Sequence, residues 1–318
     1  MKAIKVMQPG SIDVLTLIEV DKPQIKAGWS LVKVKGFGIN RSEIFTRQGY
    51  SPSVTFPRIL GIECVGIIEA TSDVTRLPVG SRVVSLMGEM GRAFDGSYAE
   101  YVLLPNHQIY KVDSDMAWPE FASIPETYYT AYGSLKNLRL ITGDRVLVRG
   151  ATSGVGVAFA KLLRGQFPDM RLYGSTRNLK KREKLLENGY DTVILDQDGI
   201  LDTTEKFDKI LDLVGPKVIK NSIGHLNEYG IICNTGLLGG SWYLEDFDPI
   251  EELRANIYLT AFHSGNVREE SLAELFDYMN RYQIRSIPEK VFRLDQIQQA
   301  HAYLEESDSF GKVVIINE

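Results

Sequence analysis

Residues 150–156 have the composition of a turn that can bind a phosphate group. They follow the apolar residues Val146–Val148, which suit a strand buried in a parallel sheet. They precede residues 157–165, which are predicted to form a helix. The N–H groups at a helix N-terminus carry partial positive charge and attract phosphate. The chemistry to consider first is therefore the binding of a phosphorylated cofactor.

The small residues of this turn match the dinucleotide fingerprint only in part. In the pattern Gly-x-Gly-x-x-Gly, Ala151 and Ser153 stand at the first two glycine positions and only Gly156 matches. Gly150 and Gly154 add a second spacing, Gly-x-x-x-Gly-x-Gly. The alternative is a turn with a purely structural role. We predict that the cofactor is contacted by Ser153, Gly154, Val155 and Gly156.

The end of the next predicted strand indicates which dinucleotide is bound. An NAD site carries Asp or Glu about 20 residues after the glycines, to bind the ribose 2′-hydroxyl. Here residues 171–176 form the strand, and Ser175, Thr176 and Arg177 end it without a carboxylate. Hydroxyl and guanidinium groups bind a 2′-phosphate, which a carboxylate would repel. We predict NADP(H), with contacts from these three residues and Lys181. Other cations of this run have the alternative role of a solvated helix face: Lys180, Arg182 and Lys184.

Two further glycines follow predicted strands of the same region. Gly215 comes after the strand at 207–212, and Gly236 comes after the strand at 231–234. Loops at the carboxyl ends of strands line the cofactor crevice in open sheets, so both glycines are predicted cofactor contacts. Tyr132 and Lys136 spell Tyr-x-x-x-Lys, the catalytic pair of short-chain dehydrogenases, but they precede the glycine turn instead of following it. We treat this pair as unrelated to catalysis.

Composition excludes several classes of protein. The chain has 318 residues, 44% of them hydrophobic and 24% charged, which is ordinary for a globular protein with a large core. A net charge of −5 does not indicate a nucleic-acid surface, and no apolar run approaches the length of a membrane span. Cys64 and Cys233 lie far apart in strand-like segments. We expect buried, reduced thiols and a cytoplasmic protein.

The pattern of predicted elements changes twice along the chain. Residues 1–118 are rich in short strands separated by Gly and Pro, which favours a partly open β-barrel. Residues 119–262 alternate helices and strands, which predicts a doubly wound parallel sheet. An amphipathic helix at 272–279 and a final strand at 312–316 are predicted to return to the first domain. The predicted domains are 1–122 with 263–318, and 123–262.

Several motifs, in order along nearly the whole chain, resemble the zinc-independent quinone oxidoreductases of the medium-chain dehydrogenase/reductase superfamily, the ζ-crystallin-like branch. These motifs are Gly38-Ile39-Asn40-x-x-Glu43, Arg47-x-Gly49, Pro57-x-x-x-Gly61-x-Glu63-x-x-Gly66, Pro125-x-x-x-x-Thr130-Ala131-Tyr132, Gly143-Asp144 with the turn at 150–156, and Gly311-Lys312-Val313-Val314. The resemblance implies a GroES-like catalytic domain, a Rossmann domain and a homodimer. It also implies that Thr130 lies against the nicotinamide. We further predict that Lys312 reaches a cofactor phosphate.

The resemblance also accounts for missing metal ligands. Zinc-dependent relatives carry Cys where this chain has Asn40 and His where it has Ile62. The region 88–94 lacks the close cysteines of their structural zinc lobe, and the four histidines are scattered. A zinc site needs three or four converging ligands, so we predict no metal. His225 and His301 are expected to be surface or packing residues.

Without a metal, the substrate must be activated by hydrogen bonds. A quinone or an α,β-unsaturated carbonyl suits this chemistry, because charge that develops after hydride attack is delocalised onto oxygen. Asn40 and Tyr50 are the candidate catalytic residues; the alternative for Tyr50 is packing on the barrel. Phe45 replaces a Tyr of some relatives, and Glu63 is expected to be structural.

The sequence predicts an NADPH-dependent, metal-independent reductase of quinones or enones, which are small molecules. One alternative is an NADP-dependent alcohol dehydrogenase or enoyl reductase on the same scaffold. The other is a non-catalytic NADPH-binding protein of the crystallin or RNA-binding kind, against which the acidic net charge argues.

Overall fold

A computed structural model describes residues 1–317. Their strands are β1 (Lys2–Val6), β2 (Thr16–Glu19), β3 (Trp29–Ile39), β4 (Arg58–Ile59), β5 (Glu63–Ala70), β6 (Arg82–Leu86), β7 (Tyr101–Pro105), β8 (Tyr110–Lys111), β9 (Arg145–Arg149), β10 (Arg171–Thr176), β11 (Thr192–Gln197), β12 (Ile200–Leu201), β13 (Phe207–Asp212), β14 (Leu226–Asn234), β15 (Tyr258–Ala261), β16 (Lys290–Arg293) and β17 (Val313–Ile316). Their α-helices are α1 (Arg41–Arg47), α2 (Trp118–Ala122), α3 (Pro125–Leu138), α4 (Gly154–Gln166), α5 (Arg182–Glu187), α6 (Ile219–Gly224), α7 (Pro249–Glu252), α8 (Glu269–Arg281) and α9 (Ile297–Glu305).

The alternating region forms one seven-stranded sheet in the order β12-β11-β10-β9-β13-β14-β15. All its strand pairs are parallel except β11 with the short β12. The chain runs outward from β9 through β10 and β11, and then returns to β13 on the other side of β9. This reversal confirms the doubly wound sheet, and it places the carboxyl ends of β9 and β13 side by side, where such sheets bind ligands.

The strand-rich region forms a second seven-stranded sheet. Its path is β16-β17-β3-β5-β6-β8, with β7 also paired to β3, and β1 lies between β2 and β4 in a small third sheet. The last strand β17 pairs antiparallel with β3, with Val313 opposite Ile39. The end of the chain therefore pairs with the strand-rich region. This pairing also brings Lys312 next to the end of β3.

Some predicted boundaries are wrong. The sequence of residues 120–138 predicts a single helix, but the chain forms α2 and then α3, which begins at Pro125. Proline has no N–H to donate and fits the first turn of a helix, so it starts a new helix here. The sequence also predicts a helix near residues 246–255, where the structure has only the one-turn α7.

The interior is apolar, as the composition requires. The predicted apolar face of α8 is confirmed: Leu272, Leu275, Phe276 and Met279 are buried in one cluster with residues of α3 and α4. Cys64 and Cys233 are both buried and unpaired, as predicted. Among the helices of residues 1–317, none combines the length and the apolar character that crossing a bilayer requires.

Candidate active site

The glycine turn is held by a serine cap. The hydroxyl of Ser153 accepts a hydrogen bond from the Gly156 N–H at 3.1 Å and donates to the Gly150 carbonyl at 2.9 Å. A Cβ on Gly156 would lie 2.6 Å from the Ala151 carbonyl oxygen, so only glycine fits. Gly154 and Val155 lie in the first turn of the 13-residue α4, where helix amides lack an intrahelical acceptor. The turn therefore has the shape and dipole that a cofactor phosphate needs.

Two predicted cofactor contacts are turned inward. Ser175 is 1% exposed, and its hydroxyl accepts from the Gly150 N–H at 3.2 Å and faces Asp196. Thr176 is buried, and its hydroxyl bonds both the N–H and the carbonyl of Asn178. These hydroxyls shape the end of β10. Their hydrogen bonds are made within the fold, and the contact of these hydroxyls with a 2′-phosphate stays a prediction.

Three cations lie together at the tip of β10. Arg177 is exposed, and the Lys181 ammonium donates to the Ser309 carbonyl at 2.6 Å. Arg41, from α1 of the other lobe, donates to the Leu304 carbonyl at 2.9 Å. Burial lowers the pKa of both Arg41 and Lys181, and the positive charge of Arg177 lowers each further. Sequence reasoning missed Arg41, whose only signal was its place directly after Asn40.

The loops after β13 and β14 pack closely against each other. Gly215 has φ +95°, and a Cβ there would lie 2.6 Å from the Gly236 carbonyl oxygen. The carboxylate of Asp212 accepts from the amides of Val214 and Gly215 and from the Ser222 hydroxyl. Both glycines are thus required by the packing of the two loops. Their cofactor contacts stay predictions.

A buried polar cluster lies where β3, β5 and β17 meet. The Lys312 ammonium donates to Asn40 Oδ1 and to Glu63 Oε1, both at 2.6 Å. Asn40 Nδ2 donates to Glu63 Oε1 at 2.8 Å and to Glu43 Oε1 at 3.3 Å. A Cβ on Gly38 would overlap the Lys312 side chain, so a glycine leaves the space for it. We call these four side chains, Asn40, Glu43, Glu63 and Lys312, the lysine cluster.

This geometry defines the present hydrogen-bond partners of Asn40. Its amide oxygen accepts from Lys312, and its amide nitrogen, which has two N–H donors, serves Glu63 and Glu43. A substrate carbonyl could bind it only by displacing one of these partners. Asn40 therefore positions Lys312 in this structure, and its direct contact with a substrate carbonyl stays a prediction.

Glu43 is a buried acid within the cluster. It is 1% exposed, and its Oε2 has no hydrogen-bond partner among the described residues. Burial raises the pKa of this carboxyl to about 8, and the charge of Glu63 adds to the effect while Lys312 opposes it. Glu43 is consequently protonated at neutral pH, and Lys312 is balanced mainly by Glu63.

A second acid connects the cluster to Thr130. The Glu126 amide donates to Glu63 Oε2 at 2.8 Å, and the Thr130 hydroxyl donates to Glu126 Oε1 at 2.9 Å. Burial raises the pKa of Glu126, with a further contribution from Glu63. Glu126 therefore links Glu63 to Thr130, the residue predicted to touch the nicotinamide, through its backbone amide on one side and its carboxylate on the other.

The second candidate catalytic residue, Tyr50, is 58% exposed and does not join the lysine cluster. Its ring packs edge-on against Phe45, with centroids 6.3 Å apart, and lies 5.8 Å from the ring of Trp242. Trp242 belongs to the loop after β14, in the other lobe. Tyr50 therefore lies where the two lobes meet at the surface.

His301 and Lys136 of the Tyr-x-x-x-Lys pair make their hydrogen bonds outside the lysine cluster. His301 is fully buried, with Nε2 3.0 Å from the Tyr98 hydroxyl. Of the two roles predicted for it, surface residue or packing residue, packing is therefore correct. Burial lowers the pKa of His301 to about 3, helped by the charge of Arg47. Lys136 pairs with Glu274 of α8 at 2.5 Å, which is an exposed contact between helices.

No metal centre is found in the part of the chain that the structure describes. Among residues 1–317, no group of three or more His, Cys, Asp and Glu side chains is arranged to hold a metal ion. The position of the zinc ligand in related enzymes, Asn40, is bonded instead to an ammonium group.

Comparison with known proteins places this fold and site in a family. Residues 26–114 match the alcohol dehydrogenase GroES-like domain, and residues 188–315 match the family described as zinc-binding dehydrogenase. The quinone oxidoreductase of Lama guanicoe is 27% identical over 329 aligned residues, which cover 99% of this chain and 97% of that protein. The solved quinone oxidoreductase of Coxiella burnetii has a TM-score of 0.85 at 25% identity, covering 100% of this chain and 99% of that one. A mycobacterial protein solved with NADPH has a TM-score of 0.84 at 26% identity, with both chains covered completely.

The chain belongs to the medium-chain dehydrogenase/reductase superfamily and is an oxidoreductase that uses a nicotinamide cofactor and a small-molecule substrate. Within the superfamily it belongs to the zinc-independent branch of the quinone oxidoreductases, as the sequence motifs indicated.

Proposed function

We propose that this protein is an NADPH-dependent reductase of quinones or α,β-unsaturated carbonyl compounds that works without a metal. The lysine cluster is the observation that carries the proposal. A buried ammonium group, 2.6 Å from both Asn40 and Glu63, supplies positive charge where zinc-dependent relatives hold their cation. It would repel a divalent cation, and the amide of Asn40 and the alkyl chain of Ile62 are poor zinc ligands.

Three features fit the cofactor. The amides of Gly154 and Val155 in the first turn of α4 suit the pyrophosphate. The cations Arg41, Arg177 and Lys181 suit a 2′-phosphate, and the strand end next to them carries no carboxylate. When bound, NADPH supplies the hydride that is transferred to the substrate carbon.

The chain's own residues would then position charge and protons. Lys312 is the positive charge beside the cofactor turn, since its Cδ lies 3.6 Å from the position of a Cβ on Gly154. The two electrons and the hydrogen nucleus of the hydride go to a substrate carbon, and a proton goes to the oxygen. Two groups of the chain can hold that proton: the Glu126 carboxyl, through the Thr130 hydroxyl, and the Tyr50 phenol.

A single assay tests the proposal. Purified protein is mixed with NADPH and 1,4-benzoquinone, methyl vinyl ketone or propanal, with and without a chelator, and the absorbance of NADPH is followed. We expect oxidation with the quinone or the enone that the chelator does not change. Oxidation with propanal alone, abolished by the chelator, would instead identify a metal-dependent alcohol dehydrogenase. Tight NADPH binding without turnover of any substrate would identify a non-catalytic binding protein.

We further propose that the protein is a cytoplasmic homodimer. Strand β15 ends the parallel sheet, and Tyr258 at its start is 57% exposed, so a second copy can pair along this edge. Light scattering during size-exclusion chromatography should give twice the chain mass of 35.7 kDa. A mass of one chain at micromolar concentration would contradict the dimer.

A further inference from the structure

A fully buried arginine ends β9, directly before the cofactor turn. A guanidinium group has five N–H donors, and each donor of Arg149 has an acceptor. Its Nε and Nη2 bind the two carboxylate oxygens of Asp196, at 2.7 and 3.0 Å. Its Nη2 also binds the Gly199 carbonyl at 2.7 Å. Its Nη1 binds the Val218 carbonyl at 3.1 Å and the Ser222 hydroxyl at 2.8 Å. The side chain is therefore fixed in one position.

These partners connect Arg149 to two loops of the cofactor crevice. Asp196 Oδ2 lies 3.5 Å from the Ser175 hydroxyl, which accepts from the Gly150 N–H at 3.2 Å. Gly150 opens the cofactor turn after β9. Gly199, which Arg149 binds directly, lies in the turn after β11 and has φ +83°. One side chain thus joins the loops that follow β9 and β11.

The remaining partner leads to a third loop. The Ser222 hydroxyl, on α6, donates to Asp212 Oδ2 at 2.6 Å. Asp212 Oδ1 accepts from the amides of Val214 and Gly215 at 2.9 and 2.8 Å. These two residues belong to the loop after β13, and Gly215 is a predicted cofactor contact. We call the five side chains that make these connections the arginine network: Arg149, Ser175, Asp196, Asp212 and Ser222.

The arginine network is closed to water and fully hydrogen-bonded. None of its side chains is more than 5% exposed. In residues 1–317, buried side-chain atoms that lack a hydrogen-bond partner occur elsewhere, and none of them belongs to the network. A buried polar network with every member satisfied is rigid and specifies one arrangement of the groups it joins.

Stability alone does not account for a charged pair at this position. Apolar residues of similar volume are often as stabilising as a buried ion pair. The location of the pair is more informative, because the carboxyl edge of an open parallel sheet is where ligands bind. The connection from β11 to β13, residues 198–206, contains only the short β12 and no helix. Arg149 therefore holds a turn that no helix supports.

We propose that Arg149 is a positioning residue of the cofactor site, which holds the loops after β9, β11 and β13 in their binding arrangement before the dinucleotide binds. The inference rests on the cofactor part of the proposed function. Loops that are already ordered lose less conformational entropy on binding, and the difference appears as affinity. Arg149 is 0% exposed and lies beneath the loops, so it acts on NADPH and NADH alike.

Two variants loosen the arginine network and keep its charges balanced. Arg149→Lys retains the positive charge but has three donors instead of five. Ser222→Ala removes only the hydroxyl between Arg149 and Asp212. In calorimetric titrations, Arg149→Lys should raise the Kd of NADPH and that of NADH by the same factor, about tenfold, and Ser222→Ala should raise both about threefold.

Amide hydrogen exchange provides a readout that a general loss of stability would not reproduce. In both variants without cofactor, the amides of Val214 and Gly215 should exchange about tenfold faster than in the wild type, while the amides of central β9 keep their rates. Saturation with the dinucleotide should restore most of the protection, because binding orders the same loops.

Arg164 provides a matched control at the opposite edge of the sheet. Its guanidinium binds the carbonyls of Pro168, Met170 and Gly189 and the carboxylate of Asp191, beside the starts of β10 and β11. Arg164→Lys should lower the free energy of unfolding in urea and leave both Kd values within about twofold of the wild type.

The outcomes are decisive in both directions. Wild-type Kd values and exchange rates in a folded Arg149→Lys protein would overturn the proposal, as would an equal loss of affinity in Arg164→Lys. If Arg149→Lys does not fold, Ser222→Ala decides alone. Equal wild-type Kd values for NADPH and NADH would refute the NADPH preference, and binding without turnover would refute the reductase. Neither result alters the ratio of variant to wild-type Kd on which the role of Arg149 depends.

Discussion

Lys312 and Glu63 form an ion pair with Nζ 2.6 Å from Oε1, although their side chains are only 7% and 1% exposed. The pair joins the start of the last strand to β5 across β3, and both partners also bond Asn40. Two charges removed from water are tolerated only when they are paired and hydrogen-bonded. The pair therefore links the end of the chain to the barrel and to Asn40 of the site.

Replacing Lys312 with Met should strongly destabilise the fold. The change leaves Glu63 buried without its cation, and breaking a buried pair in this way costs about 3–5 kcal/mol. The double variant Lys312→Met with Glu63→Gln should recover part of the loss, because no charge is left unpaired. Unfolding in urea measures both. The exposed pair Lys22–Glu69 is the control: Lys22→Met should cost at most about 1 kcal/mol. Equal losses in the free energy of unfolding for Lys312→Met and Lys22→Met would mean that the buried pair contributes no more than the exposed one.

Glu43 should make stability fall with rising pH. Burial raises the pKa of its carboxyl to about 8 in the fold, against 4.5 as its ordinary value; Lys312 and Asn40 oppose this rise, and Glu63 adds to it. Tyr98 and Arg47 also lie nearby. Between these two values the unfolded chain is ionised while the folded chain keeps the proton. The folded state binds more protons, so the free energy of unfolding decreases through this window and levels off above pH 8.

Glu43→Gln tests this directly, because a neutral amide replaces the neutral acid. The variant should lose most of the decline in stability between pH 5 and pH 8, and it should be more stable than the wild type at pH 9. Urea titrations at several pH values give the comparison. The matched control is Glu19→Gln on the exposed side of β2, which should keep the wild-type profile. A wild-type slope in the Glu43 variant would show that another group is responsible.

Arg177 and Arg41 should discriminate between the two dinucleotides. Each can donate charge-assisted hydrogen bonds to a 2′-phosphate, and such a bond is worth about 1.5–3 kcal/mol. Arg177→Ala and Arg41→Ala should each raise the Kd of NADPH about tenfold or more and change that of NADH less than about threefold. Calorimetric titration measures both constants. Lys180→Ala, an exposed neighbour, should change neither. Equal losses for NADPH and NADH would mean that these residues do not contact the 2′-phosphate.

Local sequence patterns were sufficient to predict the fold and the cofactor turn. The turn at Ser153 and Gly156 depends on residues within one helical turn of each other, and the parallel sheet follows from alternating periodicity. The order of the motifs then extended the fold prediction to nearly the whole chain. Helix boundaries were less certain, since Pro125 both ends one helical pattern and begins another.

The site could be predicted only in part, because its contacts join distant residues. Lys312 and Asn40 are 272 residues apart, and nothing in either motif indicates that the lysine ammonium donates a hydrogen bond to the amide oxygen of the asparagine. The orientation of Ser175 was equally hidden, since a strand end does not state which side chain turns inward. Arg41 was missed because a single residue at a helix start produces no periodicity.

Substitutions at Gly156 and Gly154 should distinguish the stability of the cofactor turn from its affinity for NADPH. A Cβ on Gly156 would lie 2.6 Å from the backbone of Ala151, which cannot move without opening the turn, so Gly156→Ala should cost about 1–3 kcal/mol of stability. On Gly154 the nearest atoms would be 3.5 Å away, an ordinary contact, so Gly154→Ala should change stability by less than about 0.5 kcal/mol. It should nevertheless weaken NADPH binding, because the new methyl group lies at the helix N-terminus where the phosphate is expected. Urea unfolding and calorimetric titration of both variants give the comparison. Unchanged NADPH affinity in a stable Gly154→Ala protein would place the phosphate elsewhere.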